Sequence, residues 1–339
     1  MKISLFIAVV MLTFAAQISA QKTSRIAFYN VENLFDTIDN PNDDAEFLPG
    51  SKSEWNTQKY QAKLGHIREV LLAMNKPIIA GFSEIENAGV VRDIIRNQKA
   101  FKNYGLVHYE SPDARGIDVA LIYDSSKLKL LQSNHLRFNL PGEDKATTRD
   151  ILWAKFGYKK SSFYVMVNHW PSRRSGTDES DAKRVAAAQV AAHFIDSING
   201  LRIQKVIQAL QGKPISMAGY VAENIIFLGD LNDHPENNAP KIIDERLDPM
   251  IKKESGPTQG SYFYNNEWGI LDHIYTSTNF YGKTKVVPNS GMIHNFPFLM
   301  EEYKGNIQPK RTYAGTKYLG GYSDICPCPL TYFFVKIQG

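Results

Sequence analysis

Short apolar runs that stop abruptly in polar clusters are what most constrain the fold of this chain. Seven of them recur: Ile26–Tyr29, Pro77–Phe82, Val119–Tyr123, Phe163–Asn168, Asn224–Leu228, Leu271–Tyr275 and Thr331–Lys336. Their length and their Ile, Val, Phe and Tyr content predict buried β-strands. Almost every run ends in, or leads into, a group of Asn, Asp, Glu or His. Strand ends of that kind, gathered on one edge of a sheet, can assemble a functional site. Two helical patterns lie between the runs. Thr57–Met74 opens after Asn56, a suitable N-cap, and Asp181–Ile198 is rich in Ala and Val. Strand–helix–strand order early and near-consecutive strands late predict an α/β protein, with two packed sheets and helices outside them. Leu201–Ala222 reads as an added helix and loop that the pattern does not place.

With 339 residues, the chain suits one large α/β domain or two small ones. Hydrophobic content of 43% and charged content of 22% exclude a disordered or fibrous protein. Residues 1–20 stand apart from the fold. Lys2, an apolar run from Ile3 to Ala16 and the exit Gln17-Ile18-Ser19-Ala20 predict a secretory signal cut after Ala20. This leaves residues 21–339 as a single domain with a secreted or periplasmic destination. The apolar run is short for a membrane span, and no later stretch is long enough, so no stable membrane insertion is expected after cleavage. Loss of Lys2 lowers the formal charge from +4 to +3, too little to decide for or against a nucleic-acid partner. Cys326 and Cys328 lie too close in sequence for an unstrained disulfide.

Hydrolysis of a phosphate ester needs a cation for the phosphate, a base for water, donors for the developing charge and support for the leaving oxygen. The polar clusters supply residue types of each kind. Asn30-Val31-Glu32-Asn33 follows the first strand, and on an extended chain Asn30 and Glu32 face one side. Glu84, in Ser83-Glu84-Ile85-Glu86-Asn87, is a natural ligand for a hard cation. Arg115-Gly116-Ile117-Asp118 offers a guanidinium fork for phosphate and a carboxylate that could orient a histidine. Asn168-His169-Trp170-Pro171-Ser172-Arg173-Arg174 places a histidine between an amide and a fixed turn, followed by two arginines, as a phosphate-handling loop would. In Gly229-Asp230-Leu231-Asn232-Asp233, Asp230 can take a proton from water while Asn232 holds a phosphate oxygen. Asp272 in Leu271-Asp272-His273-Ile274 and Asp324 in Tyr322-Ser323-Asp324-Ile325 complete the series. Each cluster alone is commonplace in a surface turn.

In this order, NVEN, SEIEN, RGIDVALIY, NHWPSR, GDLND, LDHI and SD resemble the endonuclease/exonuclease/phosphatase family, from about Arg25 to Phe334. That resemblance implies a DNase I-like four-layer α/β sandwich with its site at the strand ends. It implies Asn30, Glu32, Glu84 and Asp324 around a metal, with Glu84 the principal ligand; Mg2+ is expected, with Mn2+ or Ca2+ as alternatives. His169 would contact the scissile phosphate, oriented by Asp118. Asp230 would activate water, Asn232 would hold the phosphate, and Asp272 would orient a late histidine. Arg115, Asn168 and Arg173 are the phosphate-binding candidates.

The late histidine is missing. Where the family reads Ser-Asp-His, this chain reads Ser323-Asp324-Ile325, and isoleucine can neither trade a proton nor ligate a metal. Three readings stay open: weakened or absent catalysis, substitution by His273 or His294, or a recent or erroneous local departure around Cys326-Pro327-Cys328-Pro329. The leading function is a metal-dependent phosphodiesterase acting on nucleic acid, with Arg115, Arg173, Arg174 and Lys183 tracking a phosphate backbone. A phosphatase or phospholipid phosphodiesterase, or an inactive binding protein, are the alternatives. No protein partner is evident.

Overall fold

Alternate residues of the first strand enter two different cores. In β1 (Thr23–Leu34), Ile26 and Phe28 join one buried cluster and Ala27 and Tyr29 another, as the twofold period of a strand requires. The computed structural model describes residues 23–174, 176–209, 222–278 and 284–334. The expected signal at 1–20 lies outside these, as do residues 210–221 of the unplaced segment.

β1 belongs to a six-stranded mixed sheet with β2 (Ile79–Ile85), β3 (Tyr104–His108), β4 (Asp118–Asp124), β13 (Thr284–Val286) and β18 (Cys328–Phe334), in the order β13-β18-β1-β2-β4-β3. The second sheet holds β5 (Lys129–Leu136), β6 (Ile151–Tyr158), β7 (Ser161–His169), β8 (Ile225–Asp230), β9 (Asp248–Pro249) and β12 (Asp272–Thr276), in the order β5-β6-β7-β8-β12-β9. Three hairpins stand outside the sheets: β10 (Tyr262–Tyr264) with β11 (Glu267–Gly269), β14 (Met300–Tyr303) with β15 (Asn306–Pro309), and β16 (Tyr313–Ala314) with β17 (Lys317–Tyr318). The helices are α1 (Thr57–Ala73), α2 (Ala88–Ile95), α3 (Thr177–Ala209) and α4 (Asn238–Asp244). The described parts of all seven predicted runs fall on strands, residues 335 and 336 of the last lying outside the described residues; of the strands in the two large sheets, β3, β5, β6, β9 and β13 were not among them.

The sheets face each other across a core that includes Phe28, Leu121, Phe156, Val165, Val167 and Leu228. Gly81 marks a close approach between them: a Cβ there would stand 3.1 Å from Val167 and 3.4 Å from Leu228. The outer face of the first sheet packs on α1 and α2 through Leu64, Ile67, Val90 and Val91. The outer face of the second packs on α3 through Ala187, Ala188, Ala191 and Ile195. The result is a four-layer helix–sheet–sheet–helix sandwich. Asn56 caps α1 by accepting the Lys59 N–H at 3.0 Å. Both cysteines are buried free thiols.

Each sheet has one parallel pair at its centre. β1 and β2 run parallel across the connection that contains α1, and β7 and β8 do so across α3, because parallel neighbours need a long crossover. Parallel strands finish at the same edge. Their antiparallel neighbours β4, β12 and β18 start at that edge. The polar clusters therefore converge: some strands contribute their last residues and others their first.

A buried ionic knot fixes the loop after β8. Asp233 Oδ1 lies 2.9 Å from Arg184 Nε of α3 and 3.0 Å from Arg173 Nη2, with both the Asp233 and Arg184 side chains fully buried. Removing one partner of such a pair strands a charge without solvent. Asp233→Ala should lower stability by about 3–5 kcal/mol, read as the shift of the urea midpoint at constant slope.

Candidate active site

The site is built where two strands bulge. Pairing of β1 with β2 slips between Asn30 and Leu34, and pairing of β2 with β4 slips between Ser83 and Ile85. Bulges re-aim side chains. Here Glu32, Asn33 and Glu84 take positive φ, at 51°, 59° and 60°, a conformation that L-residues hold only when their surroundings enforce it. The Glu84 carboxylate is so held: Asn33 N donates to Oε2 at 3.1 Å and Asn30 Nδ2 to Oε1 at 3.0 Å. Asn30 Nδ2 also donates to Asp230 Oδ2 at 3.0 Å. One amide thus ties the first sheet's carboxylate to the second's.

In the second sheet, His169 ends β7 directly opposite Asp230, and Asp272 opens β12 opposite Asp230 on the other side. Asp230 also accepts the Asn232 N–H at 2.9 Å, and Asn232 Nδ2 donates to Trp170 O at 3.0 Å. His169 Nε2 stands 4.0 Å from Glu84 Oε1. Asn30, Glu84, His169, Asp230, Asn232 and Asp324 line one cleft of about 690 Å³. A separate hollow of about 620 Å³ at the end of β5 and the side of α3 holds none of them.

Burial sets the electrostatics. It raises the Asp230 carboxyl to about 6 against the hydrogen bonds from Asn232 and Asn30. Burial and the Asp230 charge lift Asp272 well above the usual range, and burial with the charges of Glu32 and Glu84 does the same to Asp324. Burial, with Arg149 and Arg115 nearby, drives His169 well below an ordinary imidazole, so it is neutral at physiological pH. Crowded carboxylates of this kind, oxygen donors throughout, fit a hard divalent cation.

Several expected roles need correction. Asp118 does not orient His169: it receives the Ser111 N–H and pairs with His108 Nε2, both at 2.9 Å, while His169 Nδ1 is buried without a partner. Asn168 points away from the cleft, donating to Leu228 O and accepting from Trp170 Nε1, because neighbours on a strand face opposite sides. Glu32 does not reach the cleft; it accepts from Thr312 N and Arg311. Asp324 lines the cleft but pairs with Arg311 at 2.9 Å. Arg173 lines the cleft, as expected of a phosphate-binding residue, but is tied to Asn232 O, Asp233 and Asn237. Arg115 pairs with Asp113 and still lines the cleft, as does exposed Arg174; Lys183 does not.

Neither proposed substitute for the absent histidine enters the cleft. His294 bonds Arg25 at 2.6 Å. His273 bonds Asp233 O at 2.8 Å and stacks on Tyr275. Burial lowers the His273 imidazole to about 4. Its folded pKa lies below the unfolded value near 6.5, so the stability is intact above pH 6.5 and is lost as pH falls toward 4. That group accounts for on the order of 3 kcal/mol of acid sensitivity. His273→Gln should flatten the stability–pH curve in this window, measured by urea unfolding.

Three groups not anticipated from the sequence complete the site. Arg149, from the polar stretch before β6, is buried beside His169; it pairs with Asp113 at 3.1 Å and donates to the carbonyls of His169 and Trp170. Arg311 bridges Glu32 and Asp324. Ser261 donates to Asp272 Oδ2 at 2.5 Å, while Asp272 Oδ1 is buried without a partner. Ile325 lines the cleft near by, bridged to Tyr262. Apart from this cleft, His108, Glu110 and Asp118 bring ligand atoms within 4.8 Å of one another.

Solved structures share this architecture. An endonuclease/exonuclease/phosphatase family protein from Bacteroides thetaiotaomicron superposes with a TM-score of 0.55 at 14% identity, covering 93% of this chain and 99% of that one. The human Nocturnin catalytic domain gives 0.54 at 15%, covering 93% and 96%. A Bacteroides thetaiotaomicron mannosyl-6-phosphatase gives 0.54 at 15%, covering 92% and 100%. No curated protein sequence matches significantly. The sequence model described as the Endonuclease/Exonuclease/phosphatase family matches residues 25–336. With the sandwich, the converging strand ends and this match over nearly the whole described chain, the protein belongs to the endonuclease/exonuclease/phosphatase family.

Proposed function

We propose that the protein is a divalent-metal-dependent phosphodiesterase acting on nucleic acid. Family membership carries the coarser statement, a metal-dependent phosphoester hydrolase. The observation that supports the finer one is the cleft itself. Glu84, His169 and Asp230 meet on its floor, and Arg115 and Arg174 line it with them. Glu84, held open to the cleft, is the carboxylate that would hold Mg2+, Mn2+ or Ca2+. Such a cation, when bound, neutralises phosphate charge and favours attack by water.

The chain's own groups divide the remaining work. Asp230, with its raised carboxyl, takes the proton from water. Neutral His169 contacts a non-bridging phosphate oxygen, and Asn232 and Arg115 hold the phosphate in place. The charged start and apolar run of residues 1–20 support export, so the substrate would be met outside the cytoplasm. A second reading, a weakened or inactive enzyme that still binds phosphate ligands, is supported by Ile325 in the cleft and the orphan oxygen of Asp272.

Purified protein incubated with single-stranded and duplex DNA, RNA, a phosphomonoester and a phospholipid tests both readings. Cleavage of nucleic acid with millimolar magnesium, stopped by EDTA, is the expected result. Cleavage that survives EDTA, or turnover of the other substrates with nucleic acid untouched, would refute the reading. No turnover of any substrate would favour the inactive alternative.

A further inference from the structure

One side of the cleft is a short aromatic hairpin whose place is fixed by the acid cluster. In β10–β11, Tyr262 and Tyr264 stand two residues apart, so both rings share a face. Their centroids are 6.1 Å apart and their planes differ by 12°, a stacked pair of near-parallel rings. Both tyrosines line the cleft. Tyr264 is 63% exposed, the most exposed large aromatic side chain among the described residues. Phe263 packs on Trp268 across the hairpin, and Trp268 leans on the core between the sheets.

The hairpin is held stiffly. Asn265 and Asn266 turn it with φ of 50° and 64°, the left-handed pair of a tight two-residue connection. Asn306 ties the turn to the neighbouring hairpin at 2.9 Å. At its base, Ser261 bonds Asp272 at 2.5 Å and Tyr262 bridges Ile325. The distance from the rings to the phosphate-handling groups is therefore set by the fold.

We propose that Tyr264, with Tyr262 beside it, is a stacking platform for the nucleobase next to the scissile phosphate, and that it selects single-stranded over duplex nucleic acid. The inference rests on the nucleic-acid reading above and names the form of that substrate. A base stacked in a duplex has no free face, whereas in a single strand every base offers one, and aromatic side chains exploit it. A single hexose phosphate would use one anion site and one ring face. The cleft offers more: a stacked tyrosine pair with Tyr264 exposed, and exposed Arg174 in addition to the arginines already committed to Asp113 and Asp233.

Binding separates this from the parent reading. Fluorescence anisotropy of a labelled oligo(dT), alone and annealed to oligo(dA), is measured in magnesium on the Asp230→Asn background, so that the strand is held uncut. The single strand should bind more tightly. Tyr264→Ala should weaken it on the order of tenfold, leave duplex affinity unchanged, and leave the thermal midpoint where it was. Tyr264→Trp should restore single-strand binding. Equal affinity for both forms, or a single-strand affinity indifferent to Tyr264→Ala, overturns the platform and leaves the nucleic-acid reading standing. Absence of binding by either form at low salt, or displacement of the strand by a hexose phosphate at lower concentration than by a nucleotide, defeats both.

Discussion

Ile325→His should raise kcat on a nucleic-acid substrate by about 10²-fold or more, since a positioned acid–base group contributes roughly 10²–10⁴. The surroundings are prepared for the change. Ile325 is 6% exposed and lines the cleft. Its neighbour across the bridge, Tyr262, follows Ser261, which holds one oxygen of Asp272; the other oxygen is buried and unpaired. A buried acceptor without a donor is costly to maintain, and an imidazole N–H is the donor this one lacks. Steady-state kinetics at saturating magnesium, with the thermal midpoint as a control for folding, decide the matter. A well-folded variant with no gain would show that turnover is limited elsewhere.

The second large effect runs the other way. On the Ile325→His background, Glu84→Gln should cut kcat/KM by roughly 10³-fold, because a bound cation supplies several kcal/mol of charge stabilisation and Glu84 is the carboxylate most directly offered to it. The magnesium concentration for half-maximal activity should rise as well. Stability should change little, within about 1 kcal/mol: one hydrogen bond to the carboxylate is lost, but a repulsive charge beside Asp230 and Asp324 is removed. Unaltered magnesium dependence in Glu84→Gln would remove Glu84 from the metal site. A collapse of the urea midpoint would instead mark it as a structural strut.

Much of this was legible before any coordinates. The apolar runs break where the chain leaves the sheet, so Glu84, His169, Asp230 and Asp272 announce themselves as polar residues at the ends of buried strands. Asn168 reads as a phosphate-binding candidate beside His169, although simple parity separates the two, since neighbours on β7 must face opposite sides. Parity fails at the bulges. Asn30 and Glu32 share a side on a regular strand, yet the slip after Asn30 sends Glu32 to Thr312 and Arg311. Pairings between distant segments were hidden altogether. Asp118 meets His108 because β3 lies beside β4, and nothing local ranks His108 above His169 as its partner. Arg149 and Arg311 come from irregular stretches without a period to mark them.

Asn30 has a mechanical consequence. Its single NH2 group grips Glu84 from one layer and Asp230 from the other, while around Gly81, Val167 and Leu228 the layers meet through greasy side chains. The reactive constellation is thus assembled across a seam and belongs to neither sheet alone. Residues that never see a substrate set how wide that seam stands, so a wedge or a void in the sandwich filling would misalign the chemistry while both halves kept their own shape.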